Sequence, residues 1–478
     1  MEYINIITHI ILIMSLGWYL ITNLQWYNYK LDRVILKHHK WQWHITYFLS
    51  PIVLFYIIPE PYYAAYFFII YMTSFVLWNK KLDRALVLTS RVKRFLAILL
   101  FTTFAMTALC LSNPSCTNML VFTPLILTYG ISTLLEKIFF ISFKNKGKQR
   151  VKSIVGLKTV AITASYGKTS IKNYLYHVLK NKYKTYKTPR SVNTIAGIVL
   201  DVNRDIPLDT QIYIAEAGAR VKGDIEEITM FLEPQICIIG SVGPQHIEYF
   251  KTLDNIIHTK MELLKSPRMK MGFVHESVPI KAYPTITKFP NKLHITKSNL
   301  DGIWFDVEVA GVIEHFHAPI LGSFNAINLT AVILASHYLG MTIHEIKVAF
   351  ESLPQVEHRL QKIEAGGKLI IDDSFNGNLE GMLEAVNICS NHKGRRVIIT
   401  PGLVESTDEA NILLAKAINE NFDLVILTGS LNTHLLSSNI DKEKVYILKD
   451  KSLMEATLAQ KTRIGDLILF ANDAPNFI

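Results

Sequence analysis

The chain has 478 residues, half of them hydrophobic, and a formal net charge of +10. This length predicts two to four domains. The four cysteines show no CxxC spacing, which argues against a zinc site and against a disulfide framework.

Apolar runs dominate the first third of the chain. Residues 4–24 carry no Lys, Arg, Asp or Glu and are long enough to cross a bilayer core of about 30 Å. A cleaved signal peptide is disfavoured, since no basic segment precedes this run and no small-residue cleavage site closes it. Four further apolar runs follow, near residues 43–58, 62–78, 95–112 and 119–142. Together with the first run, they predict an all-α transmembrane bundle of about five helices over residues 1–145. The second run is short and contains Pro51, so a re-entrant segment is an alternative there.

Basic residues follow the first, third and fifth runs, whereas the other two connections contain none. Because positive residues favour the cytoplasmic side, we expect a multi-pass protein of the inner (cytoplasmic) membrane. Its N-terminus would lie outside and residues 144–478 in the cytoplasm. The basic excess then faces lipid, and a nucleic-acid partner is not needed to explain it.

A phosphate-binding loop is predicted after the membrane region. Residues 159–163 form an apolar run typical of a buried strand, and residues 171–179 have the apolar spacing of a helix. The loop between them ends in Gly167, Lys168 and Thr169, which suit backbone approach to a phosphate, charge neutralisation and Mg²⁺ binding respectively. Ser165 and Ser170 flank these residues and are candidate nucleotide contacts. A phosphate loop usually has a glycine where this chain has Ile162, so a chance GKT at a helix start is the competing interpretation.

Strand-like and helical stretches alternate from residue 151 to residue 323, which predicts an α/β domain with a mostly parallel sheet. Polar groups follow several strands of this domain, at the places where an open α/β sheet binds ligands. They include Glu216, His246 and Lys260. Taken one at a time, these residues could equally be a helix cap, a loop histidine and a solvated helix lysine.

Four segments in this order resemble the Mur ligase family: AITASYGKT, TPRSVNTIAG, EAGA and SVGPQHIEYFKTLDNIIHTKMEL. The resemblance covers roughly residues 155–478 and is strongest to the members that add D-alanyl-D-alanine. It implies that Lys168 contacts the phosphates of ATP and that Mg²⁺ is held by Thr169, Glu216 and His246. Lys260 matches the lysine that this family carries as a carbamate, which would be a further magnesium ligand. Ala161 and Ala164 stand where the family usually has glycine.

Residues 324–478 are predicted to form a third domain, an α/β fold of Rossmann-like character. By the same resemblance, Asn325 and Asn328 open a helix that reads adenine, and Arg359 reaches the γ-phosphate from the far side of a cleft. The segment IDDSFNGN resembles a family signature, and it makes Asp373 and Asn376 candidate nucleotide or substrate contacts.

The resemblance implies an ATP-dependent amide-bond ligase of peptidoglycan synthesis. The expected reaction adds D-alanyl-D-alanine to UDP-N-acetylmuramoyl-tripeptide through an acyl phosphate, with ATP and Mg²⁺. The lipid bilayer and membrane proteins of cell-wall synthesis are the other expected partners. In this family a uridine-binding domain usually stands where this chain has its membrane region. Two alternatives therefore stay open: a ligase for a lipid-linked or other carboxylate, and a non-catalytic nucleotide-binding scaffold.

Overall fold

The structure of the chain is a computed structural model, and it describes residues 2–36, 38–59, 62–82, 84–111, 122–243, 247–375, 378–404 and 406–472. The chain divides into two compact units, Met1–Phe143 and Lys144–Ile478.

Apolar helices make up the described part of the first unit. Three helices are long and apolar enough to cross a membrane: Ile6–Trp26 within Glu2–Trp26, Ser90–Leu111, and Thr123–Ser153, which continues into the second unit. The predicted runs near 43–58 and 62–78 are helical too, but a π-helical turn divides each of them into shorter segments. In the first of these runs, Pro51 lies just after the π turn and lacks the N–H that a regular helix uses. The shorter helical segments are Leu31–Leu36, Gln42–His44, Ile45–Leu49, Ser50–Ile57, Tyr62–Tyr66, Phe67–Tyr71 and Met72–Lys80.

The second unit begins with a six-stranded, fully parallel sheet, as the alternating pattern predicts. Its order is β2-β3-β1-β4-β5-β6, with strands β1 Lys158–Thr163, β2 Thr185–Lys187, β3 Ile212–Glu216, β4 Ile236–Ile239, β5 Met271–His275 and β6 Ile286–Phe289. The helices between the strands are Lys168–Leu179, Ile195–Arg204, Asp224–Leu232, Ile247–Phe250, Leu253–Met261 and the 3₁₀ turn Glu262–Lys265. The polar segments that follow these parallel strands therefore lie at the carboxyl edge of one sheet.

A small antiparallel sheet and two helices complete this middle region. The strands are β7 His294–Asn299, β8 Gly302–Val309 and β9 Val312–Ala318, and the helices are Phe324–Tyr338 and Ile343–Glu351. Both helices share one hydrophobic core with β1 and with the helix Lys168–Leu179, through side chains such as Leu329, Val332 and Phe350. Residues 326–356 thus pack with the middle region, although they follow the predicted boundary at residue 323.

The last region has its own core and its own six-stranded sheet. Its order is β10-β11-β15-β12-β13-β14, and all neighbours are parallel except β10 and β11. The strands are β10 Gln361–Ala365, β11 Lys368–Asp373, β12 Arg396–Thr400, β13 Leu424–Thr428, β14 Val445–Leu448 and β15 Leu467–Ala471. The helices are Leu379–Ser390, Asp408–Asn421, Thr433–Ser438 and Met454–Lys461, with a 3₁₀ turn at Lys451–Leu453. The α/β class agrees with the prediction, while its Rossmann-like character stays a prediction.

The cysteines correct one expectation. Cys237 and Cys389 are free and buried, but Cys110 is disulfide-bonded, although the cysteine spacing argued against a disulfide framework. Cys110 lies at the end of the helix Ser90–Leu111.

Candidate active site

The predicted strand–loop–helix unit is present. β1 ends at Thr163, and Gly167 adopts a left-handed conformation (φ 81°) immediately before the helix Lys168–Leu179. Glycine is suited to this position because it has no Cβ to oppose a positive φ. The Nζ of Lys168 donates to the carbonyls of Ala164 (2.6 Å) and Ser165 (3.0 Å). The lysine therefore lies over the loop that would receive phosphates.

The two loop serines have different surroundings. Ser165 Oγ donates to the carbonyl of Gly243 at 2.9 Å, and Ser165 N donates to the carbonyl of Ser241 at 2.8 Å. These bonds tie the loop to the segment that follows β4. Ser170 is buried in the first turn of the helix, where it lies close to Tyr174. Both serines were predicted to contact nucleotide, and that role stays a prediction.

Glu216 ends β3 and is almost completely buried. Its carboxylate accepts hydrogen bonds from Thr169 Oγ1 (3.1 Å) and from Asn193 Nδ2 (3.4 Å). It also pairs with the Nζ of Lys172 at 3.2 Å. The structure thus brings together Thr169 and Glu216, which were both predicted to hold Mg²⁺.

Lys172 is the residue of this site that the sequence analysis missed. Its side chain is fully buried, and its Nζ donates to the carbonyl of Arg190 in addition to pairing with Glu216. Lys172 lies one helical turn after Lys168, so the two lysines share a face of the helix. A lysine on the buried face of the phosphate-loop helix was the signal that could have identified it.

Lys260 is also buried, near the end of the helix Leu253–Met261. Burial and, to a smaller extent, the positive charge of Lys168 lower the pKa of Lys260 to about 7. Burial likewise lowers the pKa of Lys168 to about 8. A neutral amine is the form that reacts with CO₂, so the surroundings of Lys260 suit the predicted carbamate.

The residues present fit a magnesium site. The hydroxyl of Thr169 and the carboxylate of Glu216 converge, and hydroxyl and carboxylate oxygens are the ligands that Mg²⁺ prefers. A carbamate on Lys260 would add another oxygen ligand. His246, the remaining predicted ligand, lies outside the described residues.

Asn325 and Asn328 lie in the first turns of the helix Phe324–Tyr338 and are buried. Asn325 Nδ2 donates to the carbonyl of Leu321 at 2.7 Å, and Asn328 Nδ2 donates to Asn325 Oδ1 at 3.0 Å. The Asn328 amide lies against the phosphate loop, since a Cβ built on Gly167 would come within 2.3 Å of Asn328 Oδ1. The predicted adenine-reading pair is therefore next to the predicted phosphate site.

Arg359 belongs to the connection between the two sheets. Its Nη1 donates to the carbonyl of Phe375 at 2.6 Å. Burial lowers the pKa of Arg359, and the charges of Asp373 and Glu216 oppose that shift. The guanidinium charge thus acts on Glu216 of the middle region, and the contact of Arg359 with the γ-phosphate stays a prediction.

Two carboxylates of β11 hold the segment around Arg359. His358 Nδ1 lies 2.7 Å from Asp372 Oδ2, and Leu360 N donates to Asp373 Oδ1 at 3.0 Å. His358 and Leu360 both have positive φ values, 60° and 48°. Asp373 thus has a positioning contact in addition to its predicted nucleotide contact. Asn376 lies outside the described residues.

Comparison with known proteins agrees with this geometry. Residues 162–336 match the Mur ligase middle domain. A UDP-N-acetylmuramoyl-tripeptide–D-alanyl-D-alanine ligase from Bacillus subtilis is 24% identical over 340 residues, which are 66% of this chain and 73% of the relative. The ligase of the same name from Borreliella burgdorferi is 26% identical over 295 residues, 57% of this chain and 62% of the relative. The chain thus spans more than two thirds of the first relative and less than two thirds of the second.

Among solved structures, the MurF ligase from Thermotoga maritima in complex with ADP aligns with a TM-score of 0.59 and 22% identity. The alignment covers 70% of this chain and 80% of that chain, and it establishes a shared fold. The middle-domain match contains the phosphate loop, Glu216, Lys260 and the Asn325–Asn328 pair. The chain therefore contains a Mur ligase middle domain at residues 162–336.

Proposed function

We propose that the chain is an ATP-dependent ligase that adds D-alanyl-D-alanine to UDP-N-acetylmuramoyl-tripeptide in peptidoglycan precursor synthesis. One observation carries the proposal: Lys168, Thr169, Glu216 and Lys260 converge at the carboxyl edge of the middle sheet, within electrostatic reach of Arg359 from the next region. The names of the relatives supply the choice of substrates.

The reaction has two steps. An oxygen of the peptide carboxylate attacks the γ-phosphorus of ATP, so that an O–P bond forms and ADP leaves. The amine of D-alanyl-D-alanine then attacks the acyl carbon, and phosphate leaves as the amide forms and a proton is released. Both steps place negative charge between Lys168 and Arg359, which can stabilise it electrostatically.

Magnesium fits the same place. Thr169, Glu216, the Lys260 carbamate and His246 would hold the ion, which neutralises charge on the phosphates when it is bound. Within the chain itself, Lys172 and Asn193 fix the orientation of the Glu216 carboxylate. Asn328 would contribute the nucleotide side of the site.

We also propose an inner-membrane location, with the N-terminus outside and the ligase regions in the cytoplasm. Three apolar helices of spanning length support it, as does the placement of basic residues. The disulfide at Cys110 adds support, because this orientation puts the end of the helix Ser90–Leu111 on the oxidising side. Membrane proteins of cell-wall synthesis are natural partners at this location.

A lipid-linked muropeptide is the second candidate acceptor. The described part of residues 2–143 contains helices and no strand, so it does not resemble a soluble α/β domain that would hold a uridine nucleotide. An acceptor held by its lipid would not need such a domain. The chemistry at the peptide carboxylate would be the same.

Phosphate release by the purified chain in detergent tests the proposal, with ATP, Mg²⁺ and UDP-muramoyl-tripeptide, with and without D-alanyl-D-alanine. We expect release that needs both substrates and a product heavier by one D-alanyl-D-alanine. Lys168→Ala should be nearly inactive, whereas Lys184→Ala, at an exposed surface ion pair, should match the wild type. Turnover that does not depend on UDP-muramoyl-tripeptide but increases with a lipid-linked muropeptide would favour the second acceptor. ATP binding without turnover on any acceptor would favour a scaffold.

A further inference from the structure

A cavity of the second unit lies away from the active site. It has a volume of about 720 Å³ and is lined by Lys152, Lys158, Arg268 and Lys270, together with Glu233 and several apolar side chains. We call it the basic pocket. β1 begins at Lys158 and β5 begins immediately after Lys270, so the pocket opens at the amino edge of the sheet. The phosphate loop follows the other end of β1, about 20 Å of strand away.

The charge in the basic pocket is unbalanced. Glu233 is its one carboxylate, and Glu233 already pairs with Lys148 at 2.7 Å. Among the described residues, the structure gives no ion pair within 4.0 Å to any of the four lining cations. A concave surface with a fixed excess of positive charge concentrates anions. The basic pocket therefore suits a ligand with at least one phosphate.

The lining also has an apolar part. Val155 is 96% exposed and Tyr338 is 43% exposed, and both line the basic pocket. Apolar side chains with this exposure, next to a cluster of cations, suit an amphiphile better than a small inorganic anion. The volume is in the range of ordinary small-molecule sites.

One lining residue of the basic pocket belongs to a helix that also contains a candidate membrane span. Lys152 belongs to the helix Thr123–Ser153, which contains one of the three apolar windows of spanning length. Lys152 lies nine positions after Phe143, the last residue of the first unit, in the sequence. Basic pockets at the cytoplasmic end of a span are typical sites for anionic lipid headgroups.

We propose that the basic pocket binds the phosphate of an anionic phospholipid headgroup in the cytoplasmic leaflet. This proposal rests on the membrane location proposed above, but not on the identity of the ligase substrates. Lys158, Arg268 and Lys270 contact the phosphate, and Val155 and Tyr338 contact the glycerol and the first acyl carbons.

The test uses the full chain, purified in detergent and titrated with phosphatidylglycerol or phosphatidylcholine, with retained lipid counted by native mass spectrometry. The variant Lys158→Gln/Arg268→Gln/Lys270→Gln removes three pocket cations. The matched control Lys281→Gln/Lys416→Gln/Lys442→Gln removes three exposed cations elsewhere. We expect the pocket variant to lose phosphatidylglycerol affinity by roughly fivefold per cation, and the control to bind like the wild type. Phosphatidylcholine should bind weakly to all three proteins.

Soluble phosphates separate the two sources of the anion. Inorganic phosphate and glycerol 3-phosphate should compete only weakly with phosphatidylglycerol, because they lack the apolar part. Competition at the affinity of the lipid would overturn the lipid assignment and identify a soluble anion. If the pocket variant and the control lose phosphatidylglycerol affinity equally, overall charge explains the effect. If the wild type and the pocket variant bind phosphatidylglycerol equally, the basic pocket is not the binding site.

Two further measurements distinguish this proposal from the proposed function. Ligase turnover of the pocket variant should match the wild type, which also shows that the variant is folded. A chain that fractionates with soluble proteins would remove the membrane location and this proposal with it. A membrane-extracted chain that is indifferent to lipid charge would overturn this proposal alone.

Discussion

Asn328 Oδ1 occupies the space beside Gly167, so that a Cβ on Gly167 would lie 2.3 Å from it. This proximity joins the helix Phe324–Tyr338 to the phosphate loop. Any side chain at position 167 has to displace the Asn328 amide or distort the loop.

The first prediction concerns this contact. Gly167→Ala should weaken ATP binding about tenfold or more, because the added methyl group meets Asn328 and the residue must keep a positive φ. Gly223→Ala is the matched control, since Gly223 also precedes a helix with a positive φ (93°) but has open space around its Cβ position. Calorimetric titration with a non-hydrolysable ATP analogue measures both. Equal losses in the two variants would show that backbone strain, and not the Asn328 contact, is responsible.

The second prediction concerns the buried pair of Lys172 and Glu216. Lys172→Met should destabilise the chain by about 3–5 kcal/mol, because the Glu216 carboxylate stays buried without its cation. Lys182→Met removes one partner of the more exposed pair with Glu345 and should cost about 1 kcal/mol or less. The thermal unfolding midpoints of the detergent-purified proteins rank the three chains.

A double variant completes that experiment. Lys172→Met/Glu216→Gln removes both charges, so it should unfold at a higher temperature than Lys172→Met alone. A double variant less stable than the single one would mean that Glu216 stabilises the fold through Thr169 and Asn193 and not through the lysine.

The third prediction concerns Lys260. A lysine pKa of about 7 leaves much of the amine neutral above that pH, and only the neutral amine forms a carbamate. With ¹³C-labelled bicarbonate, the wild type should give a carbamate carbonyl signal above pH 7, and the signal should decline as the pH falls through 7. Lys260→Arg should lack it, because the guanidinium stays charged. A signal of the same strength in Lys260→Arg would assign the carbamate to another lysine.

The lowered pKa of Lys260 also makes the stability of the folded chain depend on pH. The folded pKa of Lys260 lies below the ordinary lysine value of 10.5, so the unfolded chain binds more protons between the two values. Lys260 therefore destabilises the folded state increasingly as the pH falls from 10.5 towards 7, and this penalty is complete below 7. Lys260→Met should make the unfolding midpoint less dependent on pH in this window.

The fourth prediction concerns membrane orientation. In intact cells, a membrane-impermeant maleimide should label Cys110 after mild reduction and should not label it before. Cys237 and Cys389 are buried in the second unit and serve as internal controls, since they should react only after lysis and denaturation. Labelling of Cys110 only in lysed cells would contradict the proposed orientation.

The sequence predicted the local units well, because their signals are local. The apolar run 159–163 and the helical spacing after Thr169 identified β1, the phosphate loop and its helix. The placement of Glu216 at a strand end followed from the same pattern. Lys172 was missed because its burial depends on Glu216 and on the carbonyl of Arg190, which only the folded sheet brings to it.

Two further features had no sequence signal that could predict them. Hydropathy shows apolar runs, but it does not show that π turns divide the runs near 43–58 and 62–78. The contacts that hold the segment around Arg359 could not be predicted either. His358 and Leu360 do not indicate a left-handed backbone, and Asp372 and Asp373 resemble an ordinary turn in the sequence.

The backbone on either side of Arg359 has a consequence for how this chain can change. A left-handed conformation costs a residue other than glycine about 1 kcal/mol, and His358 and Leu360 both adopt it. Glycine at position 358 would relieve that cost, whereas glycine at position 360 would also remove a buried leucine side chain from the core of the last region. Glycine at position 358 would remove the imidazole that contacts Asp372 and so loosen the segment that directs the guanidinium. Selection for backbone relief and selection for turnover should therefore favour different residues at position 358.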